Sequence, residues 1–228
     1  MSSGRRSYIF LLDYLGLTVV LLLLIAGFSV FTENFFTLTN FRTIVNQTPD
    51  AVVIAVGMTF VLIIAGIDLS VGSVLGLSEA VLAVCLHRFG LPMPVGIAAC
   101  LGTGLLCGVL NGATTITWRL PSFIVTLGML EIARGGAYLV TNSRSIYLGT
   151  QLGGFVSLRI GGVSMMFVIA VLVVVAGQIV LSLTAFGRHL FAIGSNEEAA
   201  RLSGIPTQQL KAAVFALSGF LAGLAALI

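Results

Sequence analysis

The sequence predicts an all-α protein, a polytopic bundle of transmembrane helices, and three observations lead there. Charged residues make up 8% of the 228 and hydrophobic residues 58%, whereas an ordinary soluble domain is about a quarter charged. The mean hydropathy is +1.13. Apolar runs near the length of a membrane-crossing helix, about 20 residues, follow one another along the chain. Eight acidic and 11 basic side chains cannot clothe a water-facing surface of this size, so the exterior is expected to face acyl chains. The net charge of +3 comes from Lys and Arg scattered singly. It lacks the clustered basic patch of a nucleic-acid surface, and no nucleic-acid partner is expected.

Arg5 and Arg6 precede the first apolar run, from about 15 to 31. That run exceeds the 7–15 residues of a signal-peptide core and no small-residue cleavage site follows it, so it predicts an uncleaved first span near 11–31. The stretch "FTENFFTLTNFRTIVNQTP" (31–49) predicts a short interfacial helix anchored by its aromatics. Further spans are expected near 50–66, 70–86, 94–117, 121–140 and 163–184, with a seventh, 211–228, begun but incomplete. All of these belong to one domain, 1–228. The run "FALSGFLAGLAALI" reaches residue 228 without a flanking polar residue, which reads as a C-terminally truncated chain.

Lys and Arg set the orientation. With the N-terminus in the cytoplasm, Arg5, Arg6, Arg119, Arg188, Arg201 and Lys211 lie inside, and Arg42, Arg88, Arg144 and Arg159 lie outside. Residues 141–162, with Asn142, Arg144, Gly149, Gly153, Gly154, Arg159, Gly161 and Gly162, then form an extracytoplasmic loop rich in turn formers. Within the spans, Gly72/Gly76, Gly104/Gly108/Gly112 and Gly219/Gly223 recur at four-residue spacing. Small residues so placed share a helix face and let backbones approach closely.

Polar residues inside the spans need a reason, because a lone charge at the bilayer centre costs about 2.5–3.5 kcal/mol on insertion scales. Asp68, in "GIDLSVGS" (66–73), either caps the helix after a tight glycine-flanked break, with Ser70 beside it, or lines a polar path at a broken helix. Glu131 and Arg134 are three apart and share a helix face, as a structural ion pair or as pathway groups. Asn111, between Gly108 and Gly112, is interhelical glue or a ligand contact. Glu79 has no obvious local partner and is a packing residue or a pathway residue. The aromatics Phe123, Tyr138 and Tyr147 are interface anchors or stacking surfaces for a sugar.

Residues 185–210 form the longest charged loop. In "GSNEEAARLSGIP", Ser195 or Asn196 caps a short helix whose first turn holds Glu197 and Glu198, with Gly204 as its stop and Pro206 opening the next segment. Catalytic chemistry is not in view. His87 and His189 stand without partners, and Cys85, Cys100 and Cys107 lie singly in apolar runs as small packing residues, so neither a nucleophilic site nor a metal site is expected. The phosphate loop G-x-x-x-x-G-K-[ST] does not occur, and no cofactor is expected.

At this loop the chain resembles the inner-membrane permease subunit of bacterial ABC importers, in the ribose/simple-sugar branch that stands near the branched-chain amino-acid permeases. The resemblance rests on "GRHLFAIGSNEEAARLSGI" (187–205), "GIDLSVGS" (66–73), "GVLNG" (108–112) and "LPSFIVTLGMLEIARGGAYLVT" (120–141), and covers nearly the whole chain. It implies a bundle of the ABC importer permease type, in the bacterial inner membrane. It further implies a periplasmic sugar-binding protein that delivers a ribose-like monosaccharide, a second permease subunit beside this one, and a cytoplasmic ATPase subunit that hydrolyses ATP. Gly194, Asn196, Glu197, Glu198, Ala199, Ala200, Arg201 and Gly204 would then form the surface that couples to the ATPase. Two alternatives are a branched-chain amino-acid permease of the same mechanism and a gradient-driven secondary transporter in which Asp68, Glu79, Glu131 and Arg134 relay ions. An intramembrane enzyme would need catalytic residues at matching depth, and none can be assembled.

Overall fold

In the computed structural model, residues 3–33, 35–147, 159–160 and 163–228 are described, and the greater part of the loop at 141–162 lies outside them. The chain divides into two units, Met1–Val45 and Asn46–Ile228.

The first unit consists of α1 (Ser3–Phe31) and the start of α2 (Leu38–Gln47). Between them the rings of Phe28 and Phe35 stack with centroids 6.1 Å apart, and Phe36 meets Phe35 edge-on at 5.1 Å. Asn40 then ties the turn down. Its side-chain amide donates to the Phe35 carbonyl over 2.8 Å, and its backbone N–H donates to Thr37 Oγ1, a cap on the first turn of α2.

The second unit holds α3 (Pro49–Ile63), α4 (Val71–Ala83, continued by one π turn, Val84–Arg88), α5 (Met93–Thr117) and α6 (Ser122–Thr141). A two-residue antiparallel pair, Arg159–Ile160 against Val163–Ser164, precedes α7 (Met165–Leu183). Then come α8 (Ala185–Ser195), α9 (Glu197–Leu202) and α10 (Thr207–Ala225). The starts and stops follow local chemistry. Pro49 opens α3 with Asp50 in its first turn, where a carboxylate complements the helix dipole. Ser164 and Thr184 cap α7 and α8 by accepting from Phe167 N and Gly187 N. Asn142 ends α6 in the left-handed region at φ 52°, a conformation that asparagine tolerates.

The core of this unit is α10. It packs most extensively along α5, and its other sides meet α3 and α4. The α5 contact has no room for side chains: a Cβ on Gly104 would strike the Gly219 carbonyl oxygen, and one on Gly108 would strike that of Phe215. Cys100 Sγ adds a weak hydrogen bond to the Gly223 carbonyl at 3.4 Å. The glycine spacing at 104/108/112 and 219/223 therefore joins two helices of the same chain through their backbones. The spacing at 72/76 behaves differently, since a Cβ at either position would meet nothing within 4 Å. Around this spine Val74, Cys107, Met129, Ala133 and Ala222 form one buried cluster, and Val53, Ala170, Leu221 and Ala225 form another that brings in α7.

Among the described residues, four single helices are long and apolar enough to cross a membrane, Val71–Arg88, α5, α6 and α7, and α2 taken with α3 would make a fifth. Helix α1 runs 29 residues, Ser3–Phe31, through the expected first span. The other expected spans differ for physical reasons. The break at 64–70 ends α3 after 15 residues, about 22 Å at 1.5 Å per residue, so α3 counts as a span only together with α2. Helix α10 carries Gln208, Gln209 and Lys211 and buries its small residues against other helices, so it has no need of a uniformly apolar surface.

The two kinds of glycine separate in a stability measurement. Gly108→Leu forces α5 and α10 apart and is expected to cost about 3 kcal/mol or more, at the upper end of overpacking, whereas Gly72→Ala changes stability by about 0.5 kcal/mol at most. Thermal unfolding of the detergent-solubilised protein tests this; equal midpoints for the two variants would disprove the backbone contact.

Candidate functional site

Between α3 and α4 the chain leaves the helix for seven residues, 64–70. Ala65 takes a left-handed φ of 56°, and Gly66 N donates to the Val61 carbonyl at 2.9 Å to complete the turn. A Cβ on Gly66 would lie 3.1 Å from that carbonyl oxygen, which accounts for the glycine. The peptide groups that follow find side chains from α6. Ile67 N donates to Ser122 Oγ at 2.9 Å and Leu69 N to Thr126 Oγ1 at 3.1 Å, while the Thr126 hydroxyl lies 3.2 Å from the Ile67 carbonyl.

Asp68 sits in this break, 2% exposed. Its Oδ1 accepts from Ser70 N at 3.0 Å and from Ser70 Oγ at 2.6 Å, an Asx turn leading into α4, of which Ser70 is the N-cap residue. Its Oδ2 accepts from Ser218 Oγ of α10 at 3.0 Å, and Asn111 of α5 donates to Ser70 Oγ at 2.9 Å. One buried network thus links the break to α5 and α10. Asn111 Oδ1 and Thr115 Oγ1 have no hydrogen-bond partner among the described residues, and the same is true of Ser78 Oγ on α4. As a capping group Asp68 lies where the sequence suggests. Asp68, Ser70 and Asn111, read from the sequence also as pathway groups, are buried at 2%, 1% and 1% exposure.

The other intramembrane charges lie apart from this network. Glu131 and Arg134 on α6 approach to 3.4 Å with side chains 66% and 56% exposed, and Glu79 on α4 is also exposed.

At the same end of the bundle lie α8 and α9. Leu190, Ile193 and Ala200 bury themselves against Phe60 and Val61 of α3, Ile64 at the start of the break, and Val214 and Phe215 of α10. Of the residues expected on a docking surface, Ala200 is buried, and Gly194, though exposed, stands tight against the backbone of α3. Ala200 is 4% exposed, and a Cβ on Gly194 would strike the Ile63 carbonyl oxygen. Both hold the loop to the bundle, and their small size is a packing requirement.

The rest of α9 faces outward. Asn196 caps it, its Oδ1 accepting from Ala199 N at 3.0 Å. A Schellman pair closes it, Gly204 N to the Arg201 carbonyl and Ile205 N to that of Ala200, with Gly204 at φ 84°. Glu198 and Arg201 form a two-bond ion pair at 2.6 and 3.2 Å. The guanidinium holds the Glu198 carboxyl below the usual carboxylate range, and that carboxylate raises Arg201 in turn. Glu197 receives two hydrogen bonds from Lys211 Nζ at 3.0 and 3.1 Å. Between α9, the end of α5 and the start of α10 lies a hollow of about 440 Å³ lined by Arg119, Glu197, Glu198, Arg201, Gln208 and Lys211. A smaller hollow beside it joins Ile64–Ile67, Leu120–Phe123 and Lys211.

Residues 40–228 match the model of a family described as branched-chain amino acid transport system / permease component. The chain is similar to the ribose import permease protein of Haemophilus influenzae, 39% identical over 215 residues that cover 92% of this chain and 66% of that one. It is 38% identical to the ribose import permease protein of Escherichia coli over 99% of this chain and 72% of that one. To the fructose import permease protein of Rhizobium meliloti it is 33% identical, over 92% and 61%. The chain thus spans about two thirds of the length of the curated relatives it matches. No solved structure matches it.

The Asp68 network yields an ordering. Asp68→Ala strands the Ser70 amide and two hydroxyls, each unsatisfied buried group costing about 1–3 kcal/mol, and is expected to lose about 3 kcal/mol or more. Asp68→Asn keeps an acceptor for Ser70 and lets the Ser218 hydroxyl rotate to accept, at a cost of about 1 kcal/mol. Unfolding of both variants in the same detergent checks the order; equal losses would mean that the charge itself, and not the hydrogen bonding, is what the site requires.

Proposed function

The chain belongs to the family of permease components of branched-chain amino acid transport systems, and from that premise we propose that it is the membrane-spanning subunit of an ATP-driven importer of a ribose-like monosaccharide. The observation that carries the reading is α9: a six-residue helix, capped at both ends, anchored by Ala200 and presenting Glu198, Arg201 and Leu202 outward. A connector that merely joined α7 to α10 would not need this arrangement. A helix that transmits force from a separate ATPase needs a rigid outer face and an apolar anchor to the spans, and α9 has both.

The sugar assignment draws on the relatives, two of them named for ribose import and one for fructose import. In this reading α8 and α9 face the cytoplasm, as does the N-terminus, and Arg119, Arg188, Arg201 and Lys211 supply the positive charge of that side. Asn196, Glu197, Glu198, Ala199, Arg201 and Gly204 contact the ATPase. A periplasmic sugar-binding protein docks at the other end, and a second permease subunit completes the path.

The test is a pair of single cysteines, one at Glu198 and one at Tyr147, which is 89% exposed and lines a hollow with His87 and Arg88 at the other end. In membranes holding the chain with its ATPase, crosslinking at 198 and none at 147 is expected. Reconstituted vesicles containing the loaded binding protein should take up labelled ribose and not leucine. Crosslinking at neither site overturns the ATP-driven reading, and uptake of leucine in place of ribose overturns the substrate.

A further inference from the structure

Glu131 and Arg134 sit near the middle of α6 with more than half of each side chain exposed and only one 3.4 Å contact between them. An exposed ion pair of that kind stabilises by at most about 1 kcal/mol even in water, which does not offset two charges placed in hydrocarbon. This face of α6 therefore looks onto water or protein. Beside it a groove of about 490 Å³ runs between α4 and α6, with Gly72, Ser73 and Gly76 on one wall and Arg134, Ala137 and Tyr138 on the other.

The two walls differ in a useful way. Gly72 and Gly76 have open space where a Cβ would stand, whereas Gly104 and Gly108 of α5 and Gly219 of α10 are pressed against backbone. They do no packing within the chain, and they widen the groove. Tyr138 is 59% exposed and offers both a ring face and a hydroxyl. Arg134 offers a planar fork of donors whose one observed hydrogen bond, to Glu131, is exposed and exchangeable. Glu79 continues the Gly72/Gly76 stripe one turn on and is also exposed.

A ring face for the C–H side of a sugar, a guanidinium for adjacent hydroxyls and a small hydroxyl opposite make a set of contacts for a neutral polyhydroxy compound. Resting on the importer reading above, we propose that the α4–α6 groove is the wall of the pathway along which the monosaccharide passes, with Arg134 and Tyr138 as its contacts.

The experiment uses the chain assembled with its ATPase and binding protein, in a background with Cys85, Cys100 and Cys107 replaced by alanine, and a single cysteine introduced by Ser73→Cys. A charged, water-soluble thiol reagent is expected to modify it, and saturating D-ribose to slow the modification. Gly76→Leu, which fills the groove, and Tyr138→Ala are each expected to lower ribose uptake about tenfold, the equivalent of one good contact, with the Glu198 crosslink to the ATPase unchanged. That crosslink separates the two readings: its loss speaks against the importer, and its persistence isolates the groove. Modification only by a lipid-soluble reagent would place the face in the bilayer, and a disulfide between two Ser73→Cys chains would make it the contact between copies. Modification that D-ribose leaves unaltered would remove the sugar. Each of these three results overturns the proposal.

Discussion

In a lipid environment no water stands ready to take up a free peptide group, so any backbone that leaves the helix must find its partners within the protein. Residues 64–70 are where this chain meets that constraint. The partners come from far away in sequence: Ser122 and Thr126 of α6 serve the amides of Ile67 and Leu69, and Asp68, held by Ser218 of α10, serves that of Ser70. Much of the local architecture follows. Helix α6 must lie beside the break, and α10 must present a hydroxyl at one height. A carboxylate is better suited to the centre of the network than an amide because its two oxygens accept from three donors at once.

The same break is the floor on which α8 and α9 rest. Ile64, its first residue, shares a buried cluster with Leu190 and Ile193 of α8, Ala200 of α9 and Phe215 of α10. Sequence-distant pieces meet there by necessity. The end of α3 offers an apolar patch and a close backbone approach at Ile63, and Gly194 and Ala200 are the residues small enough to accept it. Charges fill the outer side, where Glu198–Arg201 and Glu197–Lys211 pair across α9 and onto α10.

Some of this was readable from local sequence and some was not. The spans near 70–86, 94–117, 121–140 and 163–184 announce themselves, because long apolar runs bounded by Pro, Gly and Ser are a one-dimensional signal. The cap and stop of α9 are equally local, four residues on either side being enough to specify them. The sequence places the end of α3 three residues too far, at 66, since "LIIAGID" is apolar up to the aspartate and only the left-handed turn at Ala65 halts the helix at Ile63. Ser218, Ser122 and Thr126 went unnoticed as partners of the break because a hydroxyl in a helix carries no mark of what it will meet 50 or more residues away (57 for Leu69 and Thr126, 150 for Asp68 and Ser218). Ala200 is expected outward for a related reason: in a helix of six residues, sequence alone does not say which side the bundle is on.

The contact between α5 and α10 has a mechanical meaning. Two helices separated by side chains slide past each other as rotamers shift, and the side chains act as a compliant layer. Here Gly104 and Gly108 lie against Gly219 and the Phe215 carbonyl with no such layer, so the pair behaves as one thick rod with two strands. Only four residues, 203–206, separate α9 from α10. Asn111, and through it the network at Asp68, is carried on that rod, one short connection from α9.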